Sequence, residues 1–291
     1  MTDAVARGNG ALVLVGTPIG NMGDLSPRAV DALAGADAVC CEDTRRTGRL
    51  LSLAGIERRP FVVVNEHTEE RAAPGVLARL ARGERVALVS DAGMPGISDP
   101  GERLVAAAVA AGHVVEVVPG PSASVAALVV SGLPAGRFVF EGFLPRKGSG
   151  RSERLVAVAA ERRTAVLYEA PHRLARTLAD LVDACGGDRR VAIAREITKI
   201  HEQVWRGTLA EAVAWVAERD PPGEIVLVLD GAPVDAPPDD DALLAAVRSE
   251  LEAGASARDA ARSVAARLDV PRRRVYAIAT DAAAAASASD R

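Results

Sequence analysis

The sequence predicts an α/β protein made of two α/β domains and a small C-terminal helical domain. Three observations carry that expectation. Apolar runs of strand length alternate with Ala/Leu-rich helical stretches from residue 11 onward. The alternation restarts after a Pro/Gly-rich break at 119–123, and a Pro/Asp-rich stretch at 232–241 precedes a purely helical tail. With 291 residues, 49% hydrophobic and 25% charged, the chain can build more than one core, and wholesale disorder is excluded. Aromatic residues make up only 3%, so the interior must be packed with Ala, Val and Leu.

The first domain is expected over residues 10–118. Its strands read as ALVLVG (11–16), DAVCC (37–41), PFVVV (60–64), RVALV (85–89) and VVEVV (114–118). Helices lie between several of them, such as PRAVDALAGA from 27 and GVLARLARG from 75. Nearly continuous apolar strands separated by helices predict a mostly parallel sheet covered on both faces. Pro119, Gly120 and Pro121 then interrupt the pattern, and Ser122 stands where it can cap the helix ASVAALVVSG. The second domain, 119–231, holds the runs RFVFEGF (137–143), TAVLYE (164–169), RVAIARE (190–196), QVWRGT (203–208) and EIVLVLDG (224–231). Helices are expected at SERLVAVAAE (152–161) and HRLARTLADLVDACGG (172–187). The last three strands lie close enough in sequence to allow antiparallel pairing, so this sheet is expected to be mixed. After the linker 232–241, residues 242–280 read as three short helices. Gly254 ends the first, Ser256 caps the second with Asp259 three positions on, and Pro271 opens the third. The end, TDAAAAASASDR, is expected to fray.

Thirty-five basic and 39 acidic residues give a net charge of −4, which excludes a chain that is basic overall but not a local phosphate-binding patch. Cys40, Cys41 and Cys185 have no disulfide or zinc spacing and read as buried thiols. The start, MTDAVARGNG, carries no apolar signal segment and no run is long enough for a membrane span, so a soluble cytoplasmic protein is expected. The histidines at 67, 113, 172 and 201 form no H-E-x-x-H motif, and no serine sits in a G-x-S-x-G elbow. Metal hydrolysis and acyl transfer have nothing to stand on.

The chemistry-bearing segments sit after strands. Gly16-Thr17-Pro18-Ile19-Gly20-Asn21 is a tight turn without Rossmann or Walker spacing. Residues 90–101, SDAGMPGISDPG, are too polar and kinked for a core and lie where open α/β sheets bind ligands. PGPSA at 119–123 opens a helix whose free N–H groups can meet a ligand. Polar clusters follow other strands: 41–47 (CEDTRRT), 65–69 (NEHTE), 168–173 (YEAPHR) and 195–202 (REITKIHE). Basic groups concentrate at Arg146, Lys147, Arg151 and Arg154, and again in the tail. There, Arg258, Arg262, Arg267, Arg272, Arg273 and Arg274 face only Asp259 and Asp269, a pattern that suits phosphate contact or, equally, a structural helical tail.

GTPIGN, CEDTRRT, NEH, SDAGMPGISDPG, PGPSA, EGFLPRKG, YEAPHR, REITKIHE and PPGEIVLVLDG follow one another as in the ribosomal RNA small subunit methyltransferase I family of the tetrapyrrole-methylase superfamily. The resemblance covers about residues 10–231, and the tail looks like that family's small C-terminal domain. It implies a two-domain tetrapyrrole-methylase-like fold (class III methyltransferase) holding S-adenosyl-L-methionine between the domains. The implied reaction is methylation of the ribose 2′-hydroxyl of cytidine 1402, in the family's RNA numbering, of 16S rRNA within the small ribosomal subunit. The implied state is a homodimer, with neither membrane nor DNA as partner.

By position, the resemblance puts Pro18, Gly93, Met94, Ser98, Asp99, Ser122, Ala123, Tyr168, Pro222, Gly223 and Glu224 against the cofactor. A ribose hydroxyl is a poor nucleophile and gains from a proton acceptor. Glu42, Asp43, Glu66, His67 and Glu169 are the unranked candidates. Arg45, Arg46, Arg146, Lys147, Arg173, Lys199 and the tail residues Arg272, Arg273 and Arg274 are candidates for RNA phosphates. Two other readings remain at this stage. One is methylation of a small tetrapyrrole-type molecule by the same fold, disfavoured by the few aromatics. The other is a non-catalytic RNA-binding assembly factor without affinity for the cofactor.

Overall fold

A computed structural model describes residues 10–219, 221–233 and 238–289, with side chains to 283. Residues 1–9, read as carrying no signal segment, and linker residues 234–237 lie outside the described residues. Ten strands and eleven α-helices occur among the described residues. The first sheet holds β1 (Ala11–Val15), β2 (Ala38–Cys41), β3 (Phe61–Val63), β4 (Arg85–Leu88) and β5 (Val114–Val118), in the order β3-β2-β4-β1-β5. Every pairing is parallel, as continuous burial of the inner strands requires. Four α-helices connect them: α1 (Pro27–Ala34), α2 (Thr44–Leu53), α3 (Glu69–Ala81) and α4 (Glu102–Ala110).

Local chemistry explains the starts. Ser26 accepts the amide of Ala29 at 3.1 Å, and Pro27 fills the first helical position, where its missing N–H is no loss. Two segments depart from expectation. CEDTRRT reads as a polar loop, but Asp43 caps Arg45 N at 2.8 Å and α2 begins at Thr44. α3 starts at Glu69 rather than Gly75, accommodating Pro74 inside it. The reason is tertiary, because the buried Glu69 carboxylate accepts the amides of Gly101 and Leu104 at 3.0 and 2.9 Å and so caps α4.

α5 (Ala123–Ser131) leads to the second sheet: β6 (Phe138–Phe143), β7 (Thr164–Glu169), β8 (Arg190–Arg195), β9 (Gln203–Thr208) and β10 (Ile225–Leu229). Their order is β6-β7-β10-β8-β9. β6 and β7 are parallel and the other pairs antiparallel, so the sheet is mixed as expected. α6 (Ser149–Ala160), α7 (Pro171–Cys185) and α8 (Leu209–Arg219) cover it. Leu167, Leu174, Leu178, Leu181, Ile193 and Leu227 form the core on that face, and Ala127 and Leu128 of α5 help fill the other against Val166, Ala192 and Val228. Ser122 takes the N-cap position of α5 but its side chain accepts no amide of the first turn; its hydroxyl pairs with that of Ser124 at 3.0 Å instead.

Residues up to Ala232 form one compact unit and those from Pro233 a second. The second unit is three helices, α9 (Asp240–Glu252), α10 (Ala257–Arg267) and α11 (Arg272–Ser289), closed around Leu243, Val247, Val264 and Val275. Ser256 accepts Asp259 N at 3.2 Å, the expected cap. α11 continues through Ser289 where fraying was expected, consistent with the helix-forming strength of its alanine run.

Candidate active site

Because β1 to β5 are parallel, the loops leaving their carboxyl ends gather along one edge of the first sheet. In the second sheet, Ile225 at the start of β10 pairs with both Glu169 at the end of β7 and Arg195 at the end of β8. Three more chain segments therefore meet at one end of that sheet. A cavity of about 360 Å³ takes its walls from both edges. The loop after β4 supplies Gly93, Met94, Ser98 and Asp99; the start of α5 supplies Ser122 and Ala123; the second sheet supplies Tyr168, Glu169, Gly223 and Glu224. A volume of this size is ordinary for a small-molecule site.

The turns fit by backbone contact. A Cβ on Gly16 would lie 2.6 Å from the Gly120 Cα, and one on Gly120 would lie 2.7 Å from the Gly16 Cα, so the turn after β1 and the turn after β5 touch where only glycine fits. Thr17 N donates to Gly93 O at 2.9 Å and Gly93 N returns to Thr17 O at 3.2 Å, fastening the first turn to the long loop. Ser98 holds a left-handed conformation (φ 59°) at the cavity, a strained geometry for a residue with a side chain. Tyr168 is fixed by the edges of Phe140 and Phe143, with ring centroids 5.0 and 5.5 Å away.

Charge divides the surroundings in two. Among the described residues no lysine or arginine lines the main cavity, whereas Asp99, Glu169 and Glu224 do. A second cavity shares Ile19, Ala92 and Glu224 with it and carries Arg46, Arg49 and Lys199. Arg46 pairs with Asp91 at 3.2 Å, and Lys199 reaches Glu196 at 2.8 Å and Glu224 at 3.1 Å. Burial, reinforced by the Glu42 charge, pushes the Asp99 carboxyl up to about 7, with the Ser90 hydroxyl pulling the other way. Glu42 itself is raised by burial, and its carboxylate accepts Asp91 N at 3.2 Å.

The expected residues separate accordingly. Of the cofactor set, Gly93, Met94, Ser98, Asp99, Ser122, Ala123, Tyr168, Gly223 and Glu224 line the main cavity. Pro18 lines the second cavity, and Pro222 is exposed, its carbonyl accepting Arg195 at 3.1 Å.

The proton-acceptor candidates fare unevenly. Glu169 lines the cavity, but its carboxylate is held by the Thr177 hydroxyl at 2.6 Å, Ala170 N at 2.8 Å and Arg173 at 3.1 Å. Asp43 caps α2, and the Arg45 guanidinium holds its carboxyl down at about 2. Glu66 and His67 are 83% and 84% exposed, pair with each other, and do not reach the cavity. Glu42 stays near Asp99 without lining the cavity.

Of the cationic candidates, Arg46 and Lys199 line the second cavity, and Arg146 and Arg173 line a third. Arg45 edges a separate hollow, Lys147 is exposed, and Arg272, Arg273 and Arg274 lie on α11 of the other unit, Arg274 paired with Asp240.

Sequence reasoning missed Ile19, Phe143, Pro171 and Val226 in the cavity wall, since a wall residue and a core residue look alike in an apolar pattern. It also missed Arg49, Arg176 and His172 beside the other cavities; for His172 the signal was adjacency, because it stands within YEAPHR.

A family model described as Tetrapyrrole (Corrin/Porphyrin) Methylases matches residues 11–213. "Ribosomal RNA small subunit methyltransferase I" of Synechocystis sp. is 46% identical over 274 residues, 94% of this chain and 98% of that protein. The protein of the same description from Xylella fastidiosa is 52% identical over 225 residues, 77% of this chain and 82% of its own length. Among solved structures, uroporphyrin-III-C-methyltransferase from Thermus thermophilus superposes with a TM-score of 0.53 at 24% identity, over 75% of this chain and 93% of that one, a likeness of fold alone. Fold, paired loops and long-range identity agree, and the chain belongs to the ribosomal RNA small subunit methyltransferase I family of the tetrapyrrole methylases.

Proposed function

We propose that this chain methylates the ribose 2′-hydroxyl of cytidine 1402, in the family's RNA numbering, in 16S rRNA of the small ribosomal subunit. Membership of the family makes it an S-adenosylmethionine-dependent rRNA methyltransferase; the nucleotide, the 2′-oxygen and the subunit context are the proposal. The observation that carries it is a pair of joined cavities: one is lined, among the described residues, by carboxylates without a cation, and its neighbour carries Arg46, Arg49 and Lys199. Of these, Arg46 and Lys199 are paired with carboxylates, and Arg49 enters no ion pair among the described residues. The first cavity suits a cationic sulfonium and the second a polyanion.

The residues fit the cofactor. Tyr168, Phe143, Ile225 and Val226 offer an apolar wall for its adenosine portion, and Ser98, Ser122 and Asp99 offer polar anchors. When bound, it supplies an electrophilic methyl carbon open to in-line displacement. The protein's own work is positioning, an effect that can reach roughly 7–11 kcal/mol. Arg46, Arg49 and Lys199 draw the RNA backbone to the shared wall at Ile19, Ala92 and Glu224. Asp99 is the group we assign to accept the 2′-hydroxyl proton, because a half-buried carboxyl poised near 7 matches a base working at neutral pH. Glu42 then acts through Asp99, keeping it basic by its charge.

We further propose a cytoplasmic homodimer. Among the described residues no helix is long and apolar enough to cross a membrane. Val114 and Val117 on edge strand β5, with Val125 and Val129 on α5, are exposed apolar groups that a second copy would cover. Val129→Asp should shift the sedimenting species from dimer to monomer; a wild type that sediments as a monomer refutes the assembly.

The deciding experiment supplies the protein with methyl-labelled S-adenosylmethionine and undermethylated small subunits. Label is expected on one ribose of 16S rRNA. Transfer to a base refutes the 2′-oxygen assignment, and transfer to no RNA in any assembly state refutes the function.

A further inference from the structure

Beside the active cavity, on the second α/β half, lies a third cavity of about 270 Å³ lined by Arg146, Arg151, His172, Arg173, Arg176 and Thr177. Its carboxylate partners are Asp180, which meets Arg151 at 2.6 Å and Arg176 at 3.9 Å, and Glu169, which meets Arg173 at 3.1 Å. Four guanidinium groups against two carboxylates leave two positive charges uncompensated around one hollow.

The arrangement is built rather than a scatter of surface arginines. Arg151 is 5% exposed and fully occupied: Nε donates to Asp180 at 2.8 Å, Nη1 to Pro145 O at 2.9 Å and Nη2 to the Thr177 hydroxyl at 3.0 Å. Arg173 donates to Leu144 O at 2.7 Å. The buried Arg151 and the half-buried Arg173 fasten the backbone of Pro145 and Leu144, which fixes the chain immediately before Arg146. Arg146 enters no ion pair among the described residues, and Arg176 is 65% exposed with only the long contact to Asp180. Both have donors to spare. α7 opens on the hollow at His172, and its N-cap residue Ala170 offers no side-chain acceptor, so the positive end of the helix adds to the field.

We infer that this hollow binds a phosphodiester of the RNA substrate, gripped by Arg146 and Arg176 above a floor of Arg151 and Arg173. The inference rests on the rRNA methyltransferase reading above. Its position gives it a purpose, because Ala170 and Pro171 line the active cavity while His172 and Arg173 line the hollow. A phosphate held at the start of α7 sets the register of the strand whose ribose must reach the methyl donor, and Glu169 ties the two places together through Arg173.

The test is Arg146→Ala and Arg176→Ala in the full chain, with Arg28→Ala on α1 as an equal loss of exposed charge elsewhere. Methyl transfer to undermethylated small subunits is measured across a potassium chloride series, and cofactor affinity by calorimetry. Each hollow variant should raise the KM for subunits about tenfold. Each should also make the slope of log(kcat/KM) against log[salt] shallower by about one and lower kcat as the register loosens, with cofactor affinity and Tm unchanged. Arg176→Lys should restore part of the affinity. A wild type that methylates RNA, with hollow variants matching it or matching Arg28→Ala, overturns the clamp alone. A wild type that transfers no methyl to RNA overturns the clamp together with the function beneath it.

Discussion

Asp99 shows how one side chain acquires a role its sequence position does not disclose. Its motif marks it as part of a ligand-binding loop, and it does line the cavity. Its proton affinity comes from elsewhere, from burial and from the charge of Glu42, which belongs to a different strand end. As the proposed base it must be ionised, so kcat/KM should rise with pH and level off above about 7. Asp99→Asn should remove that limb and lower kcat by about 10²–10⁴-fold. Stability should move the other way. The folded carboxyl holds its proton more tightly than the unfolded chain, whose value is 3.8, so its stabilising contribution is present below that pH and lost as pH rises through about 7. Asp99→Asn should therefore raise the Tm at pH 8 and leave it unchanged at pH 3.5. An unchanged pH–rate profile would remove Asp99 from the chemistry.

At the scale of elements, the second sheet depends on a buried cation that meets no carboxylate among the described residues. Arg189, 6% exposed, donates to the carbonyls of Ala159 at 2.9 Å, Glu161 at 3.0 Å and Asp230 at 2.7 Å. The first two are carbonyls at the end of α6 that no helical amide can satisfy, and a cation there also suits the helix dipole. Arg189→Met should cost about 2–4 kcal/mol in urea unfolding by leaving the Ala159 and Asp230 carbonyls buried and unpaired, while the Glu161 carbonyl keeps the amide of Ala232. A loss below 0.5 kcal/mol would mean that water replaces the guanidinium. The same scale explains the early start of α3. The propensity pattern around Gly75 is weak, and capping of α4 by Glu69, 32 residues before its partner Gly101, is invisible to any local window.

For the whole molecule, the residues up to Ala232 contain both sheets and the complete active cavity. A chain ending at Ala232 should accordingly fold and bind S-adenosylmethionine within about twofold of the full protein. Arg262, Arg267 and Arg274 are paired with Asp259, Glu250 and Asp240, while Arg258, Arg272 and Arg273 enter no ion pair among the described residues. With these last three contacting RNA, the KM for subunits should rise roughly tenfold in the same truncation. Equal KM values would make the three-helix unit structural. Most of this architecture was legible beforehand: the parallel first sheet, the mixed second sheet and the helical tail follow from strand composition, spacing and Pro/Gly punctuation. Nearly all of the expected cofactor residues also converge, because loops that follow strands of a parallel sheet must share one edge.

The sequence by itself determined most of the strands and helices and which turns line the cavity, since apolar period and glycine placement are local properties. Tertiary structure alone decided among the polar residues. It withdrew Asp43 into a helix cap, left Glu66 and His67 in solvent, locked Glu169 to Arg173 and Thr177, and gave Asp99 its raised affinity for a proton. The physical reason is that a carboxylate's chemistry is set by desolvation and by neighbouring charge, and both depend on contacts between residues far apart in the chain.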